Sequence, residues 1–315
     1  MGWSAGPRRT TIRAMPDVTR PPVLIATDLT PNAEPALLRG RAHAEAIGAP
    51  YLVVHVIPDV LRHHPLAPTA ADNDASPMMD VTKKAADLVT EQVRRVLGAS
   101  ADDFRVRIEI GDAEDEIVRI AEEEHATLIV VGARPREGAE RVLGHIAERV
   151  VRYAHATVLV ARTGSATSKV VVATDFTDGS SPALAYAAML VDKVGAQVTV
   201  VHAAQQPQST ALTALFSTLG SPWTPPAAAA VEQLEALGRE MIENLAKEHR
   251  FANAVQVEGS PADVILAQAE AIDAEMIVVG SHGRTGLRRL VLGSTAEEVI
   301  RLTRRSVLVV RAKAS

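Results

Sequence analysis

The chain has 315 residues, 47% of them hydrophobic and 23% charged, with a net charge of −5 at neutral pH and no cysteine. This balance excludes a disordered chain and one dominated by membrane spans, and neither half is basic enough for a nucleic-acid footprint. Without cysteine there are no disulfides, thiol nucleophiles or thiolate metal sites.

Residues 1–19 read as a flexible leader. Arg8-Arg9 hints at twin-arginine export, but Ile12, Ala14 and Met15 build no apolar stretch before Pro16-Asp17. The expected location is therefore the cytoplasm, and Met15 is an alternative start. From residue 20 onward the chain says nearly everything twice. Ala26-Thr27-Asp28-Leu29-Thr30 returns as Ala173-Thr174-Asp175-Phe176-Thr177, and Val53-Val54-His55 returns as Val200-Val201-His202, both 147 residues later. Gly111 and Gly132 return as Gly259 and Gly280 after 148 residues, and the apolar runs at Val158 and Val307 lie 149 apart. So slow a drift marks a tandem duplication, with domains at 20–164 and 165–315. Each copy, at roughly 150 residues, is long enough to bury its own core.

The second copy predicts a strand at 169–175, a helix at 180–195, a strand at 197–203 and a proline-rich connection through Pro207, Pro222, Pro225 and Pro226. A long helix at 229–250, a strand at 254–258 and a helix opened by Ser260-Pro261 follow. The last elements are a strand at 275–280, a glycine loop, a helix at 294–305 and a strand at 306–310. Near-continuous runs such as Lys169-Val170-Val171-Val172-Ala173 fit parallel strands covered on both faces. The expected fold is α/β, with two tandem doubly wound, Rossmann-like domains, each a five-stranded parallel sheet with four helices. Ligands of such sheets sit beyond the carboxyl ends of the strands, where Asp175, Ala203 and Gly280 fall.

The glycine loop reads Gly280-Ser281-His282-Gly283, then nine residues, then Gly293-Ser294. Glycine lets backbone approach a ligand, and a helix start offers unpaired N–H groups and positive dipole to an anion. Ser294 with Glu297 three residues on spells a capping box, with Ser294 as the cap. The first copy departs from this pattern. Its loop runs from Gly132-Ala133-Arg134-Pro135-Arg136 to Gly144-His145, with proline in place of the second glycine and histidine in place of the hydroxyl. Proline removes an N–H donor, so this site reads as degenerate even though Asp28 survives.

No P-loop or dinucleotide fingerprint is present. Motifs of H-x-G-H or S-G-G-x-D-S type are also missing. Structural readings stand beside the functional ones. Asp175 either meets a ligand or caps the following turn, as Asx residues do. His55 and His202 fit half-buried structural positions, and His63-His64 lacks a carboxylate at metal spacing. Arg284, Arg288 and Arg289 face phosphate, a surface carboxylate or water.

The G-x2-G-x9-G-S spacing, the Thr174-Asp175-Phe176-Thr177 turn and the Val201-His202 strand end resemble the ATP-binding branch of the universal stress protein family, over about residues 20–312. The resemblance implies an adenine nucleotide, ATP with or without Mg2+, its base near Thr174, Asp175 and Ala203. Its phosphates would lie over Gly280, His282, Gly283, Gly293, Ser294 and Thr295. It also implies that Val158–Ala161 and Val307–Val310 meet as an intramolecular pseudo-dimer, with a further homodimer left open. The function expected from it is a stress-response sensor or regulatory module whose ATP occupancy alters the surface offered to a protein partner. The alternatives are a slow ATPase or nucleotide-dependent transferase, for which Asp175 is the nominee for metal and the three arginines for charge, and a scaffold with both sites vestigial.

Overall fold

The computed structural model describes residues 10–12, 20–59, 76–98, 104–133, 144–164, 167–204, 228–281 and 292–311. The chain divides into two units, Met1–Thr163 and Gly164–Ser315. Among the described residues, the first unit contains β1 (Thr10–Ile12), β2 (Val23–Ala26), a 3-10 turn (Pro31–Ala33), α1 (Glu34–Ile47), β3 (Tyr51–Pro58) and α2 (Ser76–Leu97). It continues through β4 (Phe104–Gly111), α3 (Ala113–Glu123), β5 (Leu128–Gly132), α4 (His145–Tyr153) and β6 (Thr157–Ala161). The second unit contains β7 (Lys169–Ala173), α5 (Ser181–Val194), β8 (Gln197–Ala204), α6 (Ala228–Glu248), β9 (Asn253–Glu258), α7 (Pro261–Ala271), β10 (Met276–Gly280), α8 (Ser294–Leu302) and β11 (Ser306–Val310).

The two sheets repeat one topology. Strands run in the order β4-β3-β2-β5-β6 in the first unit and β9-β8-β7-β10-β11 in the second, every neighbour parallel. This is the doubly wound arrangement predicted from the valine runs. Leu24, Ile25, Ile129 and Leu159 in one sheet and Val171, Val172, Ile277 and Leu308 in the other have no exposed surface, because helices cover both faces. Among the described residues no helix is long and apolar enough to cross a membrane.

Local chemistry sets the boundaries. Helices α1 and α5 both end on a left-handed glycine, Gly48 at φ 65° and Gly195 at φ 66°, a conformation that costs other residues about 1–2 kcal/mol. Helix α8 stops at Leu302 rather than 305, since Thr303 turns extended and its hydroxyl accepts the Arg305 N–H at 3.0 Å. Within the stretch expected to be a flexible leader, Thr10–Ile12 forms β1, antiparallel to β4 with Thr10 opposite Ile108 and Ile12 opposite Val106. These residues are β-branched, and an outer strand offers them unpaired backbone groups.

The β4–α3 contact of the first unit is ionic. Arg107, 4% exposed, donates to Glu109 at 2.8 Å and to Glu123 at 2.9 Å. Arg119 bonds Glu116 and Glu123, and Arg105 bonds Glu124 at 2.8 Å. Burial alone would raise the Glu123 pKa, but hydrogen bonds and charge from Arg107 and Arg119 outweigh it and hold the carboxyl below its usual range. A depressed carboxylate stabilises the fold above the unfolded pKa and loses that contribution as pH falls through the folded one. We expect the stability of the first unit to fall on acidification below the ordinary carboxylate range. Replacement Arg107→Met, which removes the 2.8 Å partner of buried Glu109 and leaves it Arg119 at 3.4 Å, should cost about 3 kcal/mol. Denaturant melts of the full chain from pH 7 to pH 3 check both, and a pH slope unaltered in the variant contradicts them.

Candidate functional site

Parallel strands present all their carboxyl ends on one edge, and β7 lies between β8 and β10. The Thr174-Asp175 turn that leaves β7 is therefore flanked by Ala203, near the end of β8, and Gly280, the last residue of β10. Ala203 is half-buried, and Gly280 pairs with Val310. The Ser281 N–H donates to the Val310 carbonyl at 3.0 Å, and the Gly293 N–H donates to the Ser281 carbonyl at 2.9 Å. That second bond brings the two ends of the glycine loop together, so Gly280, Gly293, Ser294 and Thr295 share one neighbourhood. His282, Gly283 and the three loop arginines lie outside the described residues, as do His63-His64 and Pro135.

The expected capping box is displaced by one residue. The cap of α8 is Gly293, in extended backbone at φ −64° and ψ 145°, and no side chain caps it. Ser294 is the first helical residue, and its side chain is exposed. A helix whose first turn lacks a side-chain cap keeps N–H groups for another acceptor, which is the requirement of an anion seat.

The Asp175 turn is tightly bonded. Asp175 Oδ1 accepts the Thr177 N–H at 3.1 Å and the Thr177 hydroxyl at 2.6 Å, so the turn-capping reading holds. Its Oδ2 meets no donor among the described residues, and the residue is half-buried. Phe176 sits at φ 61°, a strained conformation for a bulky residue, with its N–H donated to Thr174 Oγ1 at 3.1 Å. The ring of Phe176 stands 4.2 Å from that of His202, whose Nδ1 bonds the Thr174 carbonyl at 2.9 Å. His202 thus occupies a structural place, as expected, and so does His55, with Nδ1 at 2.9 Å from the Thr27 carbonyl.

The first unit repeats this frame with different fittings. Leu29 takes φ 63°, and Asp28 Oδ1 accepts from Thr30 at 2.9 Å and 2.6 Å. The cap of α4 is Gly144, at φ −64° and ψ 146°, again without a side-chain bond. Against the first turn of that helix stands Glu114, its Oε1 3.6 Å from His145 Nδ1 and 3.5 Å from Arg149 Nε. At the matching place in the second unit is Ala262, which is buried. Sequence reasoning missed Glu114, although the change from Glu to Ala at one repeat offset was visible. It also missed Arg311, which follows the strand paired with Gly280 and is 9% exposed, its pKa lowered by burial. Its counterpart Arg162 is pushed down to about 10 for the same reason.

Both repeats match the universal stress protein family, at residues 19–162 and 167–311. The chain belongs to that family. It is 32% identical over 151 residues to a universal stress protein of Bacillus subtilis, a match covering 46% of this chain and 99% of that protein. A universal stress protein of Mycolicibacterium smegmatis is 25% identical over 308 residues, covering 92% of this chain and 96% of that one. The crystal structure of a universal stress protein from Archaeoglobus fulgidus shares the fold, with a TM-score of 0.65 at 24% identity, covering 93% of this chain and 99% of that one.

Gly132 shows what packing alone asks of a strand-end glycine. A Cβ there would stand 2.6 Å from the Asn32 carbonyl oxygen and 3.3 Å from Ala33 Cα, both backbone. We expect Gly132→Ala to destabilise the first unit by about 1–3 kcal/mol, the usual cost of overpacking. Limited proteolysis during thermal unfolding locates the effect, and an unchanged melting profile contradicts it.

Proposed function

We propose that this universal stress protein binds ATP through its second unit and acts as a stress-response sensor or regulatory module. The observation that carries this reading is the uncapped start of α8, tied by Gly293 to the end of β10 and facing the edge from which Asp175 projects. Gly280, Gly293, Ser294 and Thr295 would hold the phosphates, joined by His282 and Gly283 of the loop. Asp175 and Ala203 would border the base or ribose, and Thr174 would support them. Asp175 is also the carboxylate at this edge for a magnesium ion carried in with the nucleotide. In the first unit the corresponding helix start already has the Glu114 carboxylate beside it, which satisfies its dipole and opposes a phosphate. This asymmetry favours binding by the second unit alone.

Mass spectrometry of nucleotide released from freshly purified protein, followed by calorimetry on the full chain, tests the reading. The expected stoichiometry is about one tight ATP per chain, with thermal stabilisation that follows mass action. Gly293→Val should abolish binding. The backbone at Gly293 is open to any residue, so that loss reports filled space rather than strain. Asp175→Ala should weaken binding by about tenfold, the order expected for one charged hydrogen bond. Two equal tight sites, or binding that survives Gly293→Val and disappears in Gly144→Val, overturns the assignment to the second unit.

A regulatory binder keeps its ATP intact for many minutes, because no motif positions a general base. Metal-dependent turnover of about 1 per second or faster would reject regulation in favour of the enzyme reading.

A further inference from the structure

The strained turn at the ligand edge is held in both units by one hydrogen-bond circuit, completed by two unrelated side chains. In the second unit the Phe176 N–H donates to Thr174 Oγ1 at 3.1 Å, Thr174 Oγ1 lies 3.0 Å from Ser180 Oγ, and the Ser180 hydroxyl donates to the Thr177 carbonyl at 2.9 Å. Ser180 has one proton and gives it to Thr177, so Thr174 must donate to Ser180 while its lone pair accepts from Phe176. In the first unit the Leu29 N–H donates to Thr27 Oγ1 at 3.1 Å, and the Thr27 hydroxyl donates to Gln92 Oε1 at 2.6 Å. Gln92 Nε2 then donates to the Thr30 carbonyl at 3.3 Å. The two circuits begin and end on matching backbone groups, the N–H of residue 29 or 176 and the carbonyl of residue 30 or 177.

The bridging groups have different origins. Ser180 caps α5 three residues from the turn, and Ala33 stands at its repeat position in the first unit. Gln92 reaches in from the C-terminal third of α2 and is 4% exposed. Among the described residues no hydrogen bond joins a side chain of α6 to the turn in the second unit. One circuit met by two solutions points to the circuit itself as the requirement. A left-handed Leu or Phe costs free energy and persists only where its surroundings over-determine it. The turn so fixed places Asp175 between Ala203 and Gly280.

We propose that Ser180 is a positioning residue of the second unit's site. It locks Phe176 in its left-handed conformation through Thr174 and thereby aims the free oxygen of Asp175 at the bound nucleotide. Gln92 holds Leu29 in the same way through Thr27, and there it couples the turn to the long helix α2. The nucleotide turn of the second unit is instead moored to the start of α5. The affinity part of this proposal rests on the reading of that unit as the ATP site, and the mooring part does not.

The test is made on the full chain with Ser180→Ala, Ser180→Thr and Gln92→Ala, first without nucleotide by hydrogen exchange and then with ATP by calorimetry. Ser180→Ala should speed exchange of the Phe176 amide by about tenfold, as expected for the loss of roughly one to two hydrogen bonds, and leave the Leu29 amide unchanged. Gln92→Ala should do the reverse. ATP affinity should fall about tenfold in Ser180→Ala, recover in Ser180→Thr, which restores the hydroxyl, and stay at the wild-type value in Gln92→Ala. Unchanged Phe176 exchange in Ser180→Ala overturns the mooring. Faster exchange with unchanged ATP affinity overturns the positioning role. An Ser180→Thr variant as weak as Ser180→Ala also overturns it, since the hydroxyl would then be irrelevant. If the wild type binds no ATP, the nucleotide reading fails while the exchange data still decide the mooring.

Discussion

A parallel sheet covered on both faces leaves one edge where backbone can turn toward a ligand, and the rest of each unit serves that edge. The ladder continues past β7 for one more bond, from the Thr174 N–H to the Val201 carbonyl at 2.9 Å, and past β2 in the same way from Thr27 to Val54. Beyond that bond the chain must leave the sheet and enter a helix within a few residues. The left-handed residue at 29 or 176 makes this reversal, and threonine, aspartate and a bridging side chain hold it in place. The same edge gathers Gly280, Ser281 and the start of α8, because β10 is the next strand over.

Duplication has left the two edges equal in frame and unequal in fittings. The glycine caps of α4 and α8 have the same backbone angles within a degree, and the aspartates make the same two bonds. The side chains around them have diverged. Glu114 with His145 and Arg149 in one unit corresponds to Ala262, Ser294 and Glu298 in the other, so the ion pairs beside the first helix start have no equivalent in the second unit, where an alanine and a serine replace two of the three and the arginine becomes a glutamate. The β4–α3 contact shows the same divergence in the body of the first unit, where Glu116, paired with Arg119, stands at the repeat position of the buried Val264 of α7. The frame follows from backbone geometry and resists change, whereas the fittings need only local compatibility.

The architecture was legible because it rests on periodicity and punctuation. Runs of valine and the Ser260-Pro261 start carry local signals, and the observed boundaries there follow them closely. The capping box was misread by one residue because Gly293 is itself an adequate cap, and a serine followed by glutamate has the same spelling whether it caps or opens the helix. β1 escaped notice because its three residues form a strand only against an edge that the rest of the fold supplies. The circuit through Gln92 was beyond reach of local pattern, since it joins residues more than 60 positions apart. Ser180 was nearer to view, as a serine two residues before Pro182, but its bond to Thr174 depends on a turn whose sign of φ no residue type announces.

The bond from Gly293 to Ser281 also bears on how such a protein diversifies. By fastening the two ends of a loop, it separates the loop's length and composition from the geometry of the strand and helix on either side. For a flexible segment with fixed ends, each doubling of length adds only about 0.6 kcal/mol of closure cost. Insertions and replacements between residues 281 and 293 are then nearly neutral for folding, while the two ends of that segment stay fixed beside the carboxyl edge of the sheet. Selection on ligand preference can act there without disturbing the core, and two copies in one chain allow it to act twice in different directions.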